Sequence, residues 1–193
     1  IDVAYRYFST PRRSFIVADT PGHVQYTRNM VTGASTADLA IVLVDVRNGV
    51  SIQSRRHGFI AALLRIPHVV VAVNKMDLVG FDEARFRHVA DEFTAYAAQV
   101  GIRSLTLIPV AALLGDNVVE VSAHMPWYSG PSLMEHLEMV EISQETPARD
   151  FRLPVQLALR PHQGFRGFAG QVASGRIHAG EEVRVLPSGR TSH

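Results

Sequence analysis

Two short strings carry the residue types that could do chemistry: Asp19-Thr20-Pro21-Gly22-His23 and Asn74-Lys75-Met76-Asp77. In the first, a carboxylate ends an apolar run and a glycine-containing turn follows. This suits a metal-bound phosphate. Asp19 can hold Mg2+ through water, and the Gly22 amide can approach a terminal phosphate with no Cβ in the way. By itself the string equally describes a strand–proline–glycine turn with a satisfied histidine. In the second, the Asp77 carboxylate can accept two hydrogen bonds from the N1–H and N2–H2 edge of guanine, donors that adenine lacks. Asn74 can tie loops together, and the Lys75 stem can lie over a flat base. An N-K-x-D tetrapeptide by itself is often a polar turn. The two strings in this order, each closing an apolar run, are far more specific than either.

The elements that must position these residues follow from the hydropathy pattern. Ile1–Phe8, Ser14–Ala18 running into Asp19, Leu39–Val44, Val69–Val73 and Leu105–Val110 read as strands. Continuous β-branched runs suit strands buried on both faces of a parallel sheet. Between them Phe59, Ile60, Leu63 and Leu64 form a helical stripe that Pro67 ends. Phe86, Val89, Ala90, Phe93, Ala97 and Val100 repeat at helical spacing, with Gly101 as a C-terminal cap. Leu133, Leu137 and Val140 mark a further helix after Pro131. The alternation predicts an α/β doubly wound sheet, whose ligands bind at the carboxyl ends of the strands. Both strings fall there. Beyond Thr146–Pro154 the pattern changes to short, glycine-punctuated β stretches, Val155–Leu159, Phe168–Ala173 and Glu182–Leu186, which read as the start of an antiparallel β-barrel. The expected domains are residues 1–146 and 152–193.

Composition narrows the function classes. The chain has 193 residues, 19 Lys+Arg against 18 Asp+Glu and a net charge of +1, which disfavours a basic nucleic-acid module. Apolar residues make up 47% and charged residues 19%, the profile of a globular protein. Without cysteine there is no disulfide, thiolate catalyst or Cys-ligated metal site. The longest apolar runs hold about six residues, far short of the ~20 that span a bilayer. A cytoplasmic protein without membrane association is expected. The nine histidines show no ligand spacing, so only His23 is assigned a role. Arg55, Arg56 and His57 read as a solvated helix face, and Trp127 and Tyr128 as packing or a partner contact.

DTPGH followed by NKMD resembles the third and fourth guanine-nucleotide motifs of the translation-factor class of P-loop GTPases. Residues Tyr26–Ser35 are similar to the switch II region of that class. Further strings narrow the resemblance. Tyr5-Arg6-Tyr7-Phe8, Arg55-Arg56-His57, Met125–Pro131, Phe165-Arg166-Gly167-Phe168-Ala169-Gly170 and Val185–Gly189 resemble the GTP-binding large subunits of bacterial sulfate adenylyltransferase (ATP sulfurylase). The resemblance implies a GTPase that drives a small catalytic partner subunit, which makes adenylyl sulfate and pyrophosphate from ATP and sulfate. It implies GTP and Mg2+ as cofactors. Carried over by position, Asp19 holds Mg2+, Gly22 contacts the γ-phosphate and His23 positions the attacking water. Asn74, Lys75 and Asp77 serve the base.

Two features depart from the family pattern. No G-x-x-x-x-G-K-[ST] loop occurs, and the first residue is Ile1. The expectation is an internal piece of a longer protein, with the phosphate loop and switch I upstream. The fifth motif, usually Ser-Ala-Leu, reads Ala111-Ala112-Leu113, leaving the Ala112 N–H to meet guanine O6 without the usual hydroxyl support. Two alternatives stay open at this level: an elongation-factor-like translational GTPase, and a nucleotide-inactive GTPase-like binding module.

Overall fold

The apolar run around Val69–Val73 becomes the centre of a parallel sheet. The structure, a computed structural model, describes residues 3–20, 27–142, 150–160 and 162–192, the side chains of Thr27 and Arg28 aside. The chain divides into two compact units, Ile1–Val140 and Glu141–His193. In the first unit the order is β1 (Ala4–Ser9), β2 (Ser14–Asp19), α1 (Thr27–Ala34), β3 (Leu39–Asp45), α2 (Ile52–Leu63), β4 (His68–Asn74), α3 (Glu83–Val100), β5 (Ser104–Pro109) and α4 (Leu133–Met139).

Strand β4 lies between β3 and β5, parallel to both. Its residues Val69–Val73 are all buried, which is why the run carries no alternation. Val69, Val71 and Val73 face a core built with Ala61 of α2 and Phe86, Val89, Phe93 and Ala97 of α3. Val70 and Ala72 face the opposite way, against Ile108, Val110, Tyr128 and Leu133. Burial of each valine contributes roughly 1.5–3 kcal/mol. Helices on both faces make this the doubly wound arrangement that the alternation implies.

The helices end where their caps dictate. Ser51 accepts from the Ser54 N–H to start α2. Asp82 accepts from the Ala84 and Arg85 N–H groups to start α3, and Gly101 closes it at φ 80°. Ser132 and Glu135 form a capping box on α4. Arg55 does not sit on a merely solvated face: its guanidinium pairs with Glu92 at 2.8 Å and lies over the Tyr96 ring, tying α2 to α3.

The first two strands form a pair of their own. Among the described residues, β1 and β2 pair only with each other, antiparallel, from Ala4↔Asp19 to Ser9↔Ser14. A two-stranded hairpin has no room to bury both faces, and β1 is exposed throughout. Its turn is held by Arg13, whose Nη1 donates to the carbonyls of Leu137 (2.8 Å) and Val140 (2.9 Å) at the end of α4.

The second unit holds β6 (Leu157–Leu159), β7 (Gly167–Ala169), β8 (Val183–Val185) and β9 (Arg190–Ser192). They form two antiparallel pairs, β6 with β7 and β8 with β9, and an isolated Arg152↔Ser174 bridge continues the register of the first pair. Strands β6 and β8 fall inside expected β stretches and β7 overlaps one, beginning a residue earlier at Gly167; all three are shorter than expected, at three residues each. Strand β9 was not anticipated.

Trp127 and Tyr128 pack at the edge of the first unit. The Trp127 indole donates to the Phe81 carbonyl at 3.0 Å and its ring lies 5.4 Å from that of Phe86. Tyr128 donates to the Pro131 carbonyl, and burial pushes its hydroxyl pKa up to about 12, with the charge of Glu135 adding to the shift. Since the folded-state value is raised, the stability tied to this phenol is complete below about pH 10 and is lost as pH climbs through about 12. Melting temperatures taken from pH 9 to 12 are therefore expected to fall less steeply for Tyr128→Phe than for the parent. Equal slopes would contradict this assignment.

Candidate functional site

The register of the parallel sheet sets the site. Asp45 closes β3 opposite Asn74, which closes β4, and Val73 stands opposite Pro109 at the end of β5. The three strand ends are then laced by backbone bonds. Val46 N–H donates to the Asn74 carbonyl (3.0 Å), Val110 N–H to Val73 (2.8 Å) and Met76 N–H to Val110 (3.2 Å). Met76 is fully buried and plugs the turn that follows β4.

Asn74 joins the two loops that follow β4 and β5. Its Oδ1 accepts from the Lys75 N–H at 2.7 Å and from the Ala112 N–H at 3.0 Å. Lys75 itself sits in the left-handed region at φ 68°, ψ 34°, and a short 3-10 turn, Met76–Val79, begins there. A lysine in that region stores strain that the bonds around it must offset. Asp77 is the second residue of the turn, only partly buried, and the Gly80 N–H closes onto its carbonyl at 3.3 Å.

A second residue holds Lys75 from its other end. The Asp45 Oδ2 accepts from Lys75 Nζ at 2.9 Å and from Arg47 Nη2 at 2.6 Å, while Oδ1 accepts from the Arg47 N–H and Nε at 3.0 Å each. The hydrogen bond from Arg47, with that from Lys75 behind it, holds the Asp45 carboxyl well below the usual carboxylate range despite its burial. Arg47 is held more firmly protonated by Asp45, and the charge of Asp77 adds to this. Four charges, Asp45, Arg47, Lys75 and Asp77, thus balance at one edge of the sheet.

The loop after β5 is braced from within. The buried Asn117 donates to the Pro109 carbonyl at 2.9 Å and accepts from the Ser122 N–H at 2.6 Å. The Ala111 N–H donates to the Asp116 carbonyl at 3.1 Å. This fixes Ala112 beside Asn74. The Ala112 N–H, expected to meet guanine O6, is engaged by the Asn74 side chain. A base carbonyl would have to share or displace that bond.

Asp19 closes β2, exposed, opposite Ala4. Thr20 next to it is pressed close to α1: a Cβ on Gly33 would come within 2.8 Å of Thr20 Cγ2 and 3.1 Å of Val3. A larger residue at Gly33 would push α1 away from the segment leading out of Asp19. Gly22 and His23 lie outside the described residues.

The structure thus brings Asn74, Lys75 and Ala112 into direct contact and puts Asp77 within one turn. Sequence reasoning assigned no role to Asp45 or Arg47. The available signal was that the Leu39–Val44 run ends in Asp45 at the same level as Asn74. Among the described residues, no group of three or more His, Asp or Glu stands ready to hold a metal ion. No helix among them is long and apolar enough to cross a membrane.

Comparison with known proteins gives the family. Residues 1–143 match the elongation factor Tu GTP-binding domain. The whole chain is 58% identical to sulfate adenylyltransferase subunit 1 of Cellvibrio japonicus, covering 41% of that protein. It is 59% identical to the bifunctional enzyme CysN/CysC of Mycobacterium tuberculosis, covering 32% of it. The chain therefore spans less than half the length of these relatives. Among solved structures, Sup35 complexed with GMPPNP superposes with a TM-score of 0.60 at 28% identity, over 96% of this chain and 46% of that one. With the model match running over most of its length, the chain belongs to the family of elongation factor Tu GTP-binding domains.

Proposed function

We propose that this chain is the nucleotide-binding part of a GTPase subunit of sulfate adenylyltransferase, coupling GTP hydrolysis to adenylyl sulfate synthesis. The observation that carries the proposal is the 58% identity, over its whole length, to sulfate adenylyltransferase subunit 1. The elongation-factor alternative rests on much lower identity, 28% to Sup35. The binding-module alternative does not account for the laced contact of Asn74, Lys75 and Ala112 at the strand ends.

In this reading a small catalytic subunit joins sulfate to the α-phosphorus of ATP and releases pyrophosphate. That step runs uphill, and hydrolysis of GTP on the subunit containing this chain supplies the drive. Asp77 accepts from the guanine N1–H and N2–H2, Lys75 lays its stem over the base, and Asn74 keeps the two base-facing loops in place. Gly22 presents its amide to the γ-phosphate, and His23 orients the attacking water, as a glutamine does in small GTPases. The exposed Asp19 carboxylate offers the hard oxygen that Mg2+ prefers, so the donor chemistry fits that ion. Mg2+, when bound, neutralises charge on the phosphates. In this reading residues 1–146 are a G domain and residues 152–193 the start of a barrel. The complex acts in the cytoplasm, apart from membranes and nucleic acid.

The deciding experiment follows adenylyl sulfate made from ATP and sulfate by the intact parent protein purified with its small subunit. GTP is expected to raise the yield and to be hydrolysed in step. Hydrolysis without any change in yield would sink the sulfate assignment and leave the GTPase one. Asp77→Asn is expected to weaken GDP binding by roughly two orders of magnitude while improving binding of xanthosine diphosphate. An unchanged base preference would undo the role of Asp77. His23→Ala is expected to slow GTP hydrolysis by roughly 100-fold with GTP affinity within about twofold. A large loss of affinity instead would rule out water positioning.

A further inference from the structure

We infer that Asp45 is a positioning residue for guanine binding: it clamps the Lys75 side chain at the sheet edge before any nucleotide arrives. The inference rests on the guanine-nucleotide reading above and adds a residue that neither motif contains.

Three observations carry it. The first is register: Asp45 and Asn74 are Cα partners on adjacent parallel strands, so the sheet itself sets the distance from the Asp45 carboxylate to Lys75. The second is that Lys75 is fixed at both ends. Its backbone N–H is held by Asn74 Oδ1 at 2.7 Å, and its Nζ by Asp45 Oδ2 at 2.9 Å. The third is that Asp45 is itself immobilised. Its side chain is only 18% exposed, and Arg47 grips it in a fork of Nε and Nη2, with its own N–H as a further donor.

The physical consequence lies in entropy. Lysine has among the largest rotamer freedoms of any side chain, and a free Lys75 would surrender it each time a base bound beneath it. With Nζ tethered, the stem is already laid across the ends of β3 and β4, and its methylenes form a prepared apolar strip for a flat base. The tether also places a carboxylate under the ammonium. This counters the charge of Lys75, while Arg47 in turn counters Asp45. Arg47 shares Asp45 with Lys75 and does not itself hold the lysine. Its loss loosens Asp45 but leaves Lys75 paired with it.

The test is a double-mutant cycle in the intact parent protein, reading the equilibrium dissociation constant for GDP by competition with a fluorescent guanine nucleotide. Asp45→Asn is expected to weaken GDP about tenfold, Lys75→Ala by a similar factor, and the double variant no more than the worse single one. Arg47→Ala removes the Nε and Nη2 bonds that steady Asp45 but leaves Lys75 paired with it, so it is expected to weaken GDP by clearly less than Asp45→Asn does. Losses that multiply in the double variant would show that Asp45 acts independently of Lys75 and would overturn the inference. An equal loss in Arg47→Ala would also overturn it, because it would mean general damage to the strand end. If the unsubstituted protein binds GDP and Asp45→Asn binds it equally well, the inference falls while the guanine reading stands. No GDP binding by the unsubstituted protein removes both.

Discussion

Burial of β4 on both faces is the constraint on which the rest of the first unit depends. Because Val69–Val73 must be covered on two sides, helices have to lie on both faces of the sheet, and β3 and β5 have to flank it. A parallel register follows, and with it the position of every strand end. Asp45, Asn74 and the segment Val110–Ala112 meet because their strands are locked to the same central element. A one-residue slip would turn Val70 and Ala72 towards the wrong core and move Asn74 away from Ala112.

The site is built from ties between loops more than from groups aimed at open space. Asn74 bonds both the turn after β4 and the loop after β5, and Asn117 braces that second loop from below. Lys75 accepts a left-handed backbone in exchange for a side chain held at Asp45. Such preorganisation trades local strain and freedom for a fixed shape. That is the usual condition of a binding edge at the carboxyl ends of parallel strands.

Much of this was legible in the sequence, for identifiable reasons. The unalternating, β-branched run Val69–Val73 read as a doubly buried strand. Helix α3 announced itself by six apolar residues at helical spacing and by Gly101. Asn74 and Lys75 were legible because their types and spacing are rare in combination. What escaped were features set by pairing rather than by local pattern. The antiparallel pairing of β1 with β2 was not legible, since Ser14–Ala18 has the composition of a buried strand and does not reveal its partner. Asp45 escaped because a lone acid at a strand end has no local signature, and its meaning appears only once Lys75 lies across from it. The engagement of the Ala112 N–H by Asn74 escaped because it spans 38 residues of chain.

The outer edge of β3 has a consequence for the chain in solution. Among the described residues β3 has a hydrogen-bonded neighbour on one side only, and the run Leu39–Val44 contains no charge and no proline. Ile41 and Leu43 are 43% and 66% exposed. An apolar strand at the edge of a sheet is a template for further strands, and nothing in the sequence of Leu39–Val44 discourages them. A covering strand, from whatever segment or partner provides it, acts as much to keep the protein dispersed as to complete its sheet.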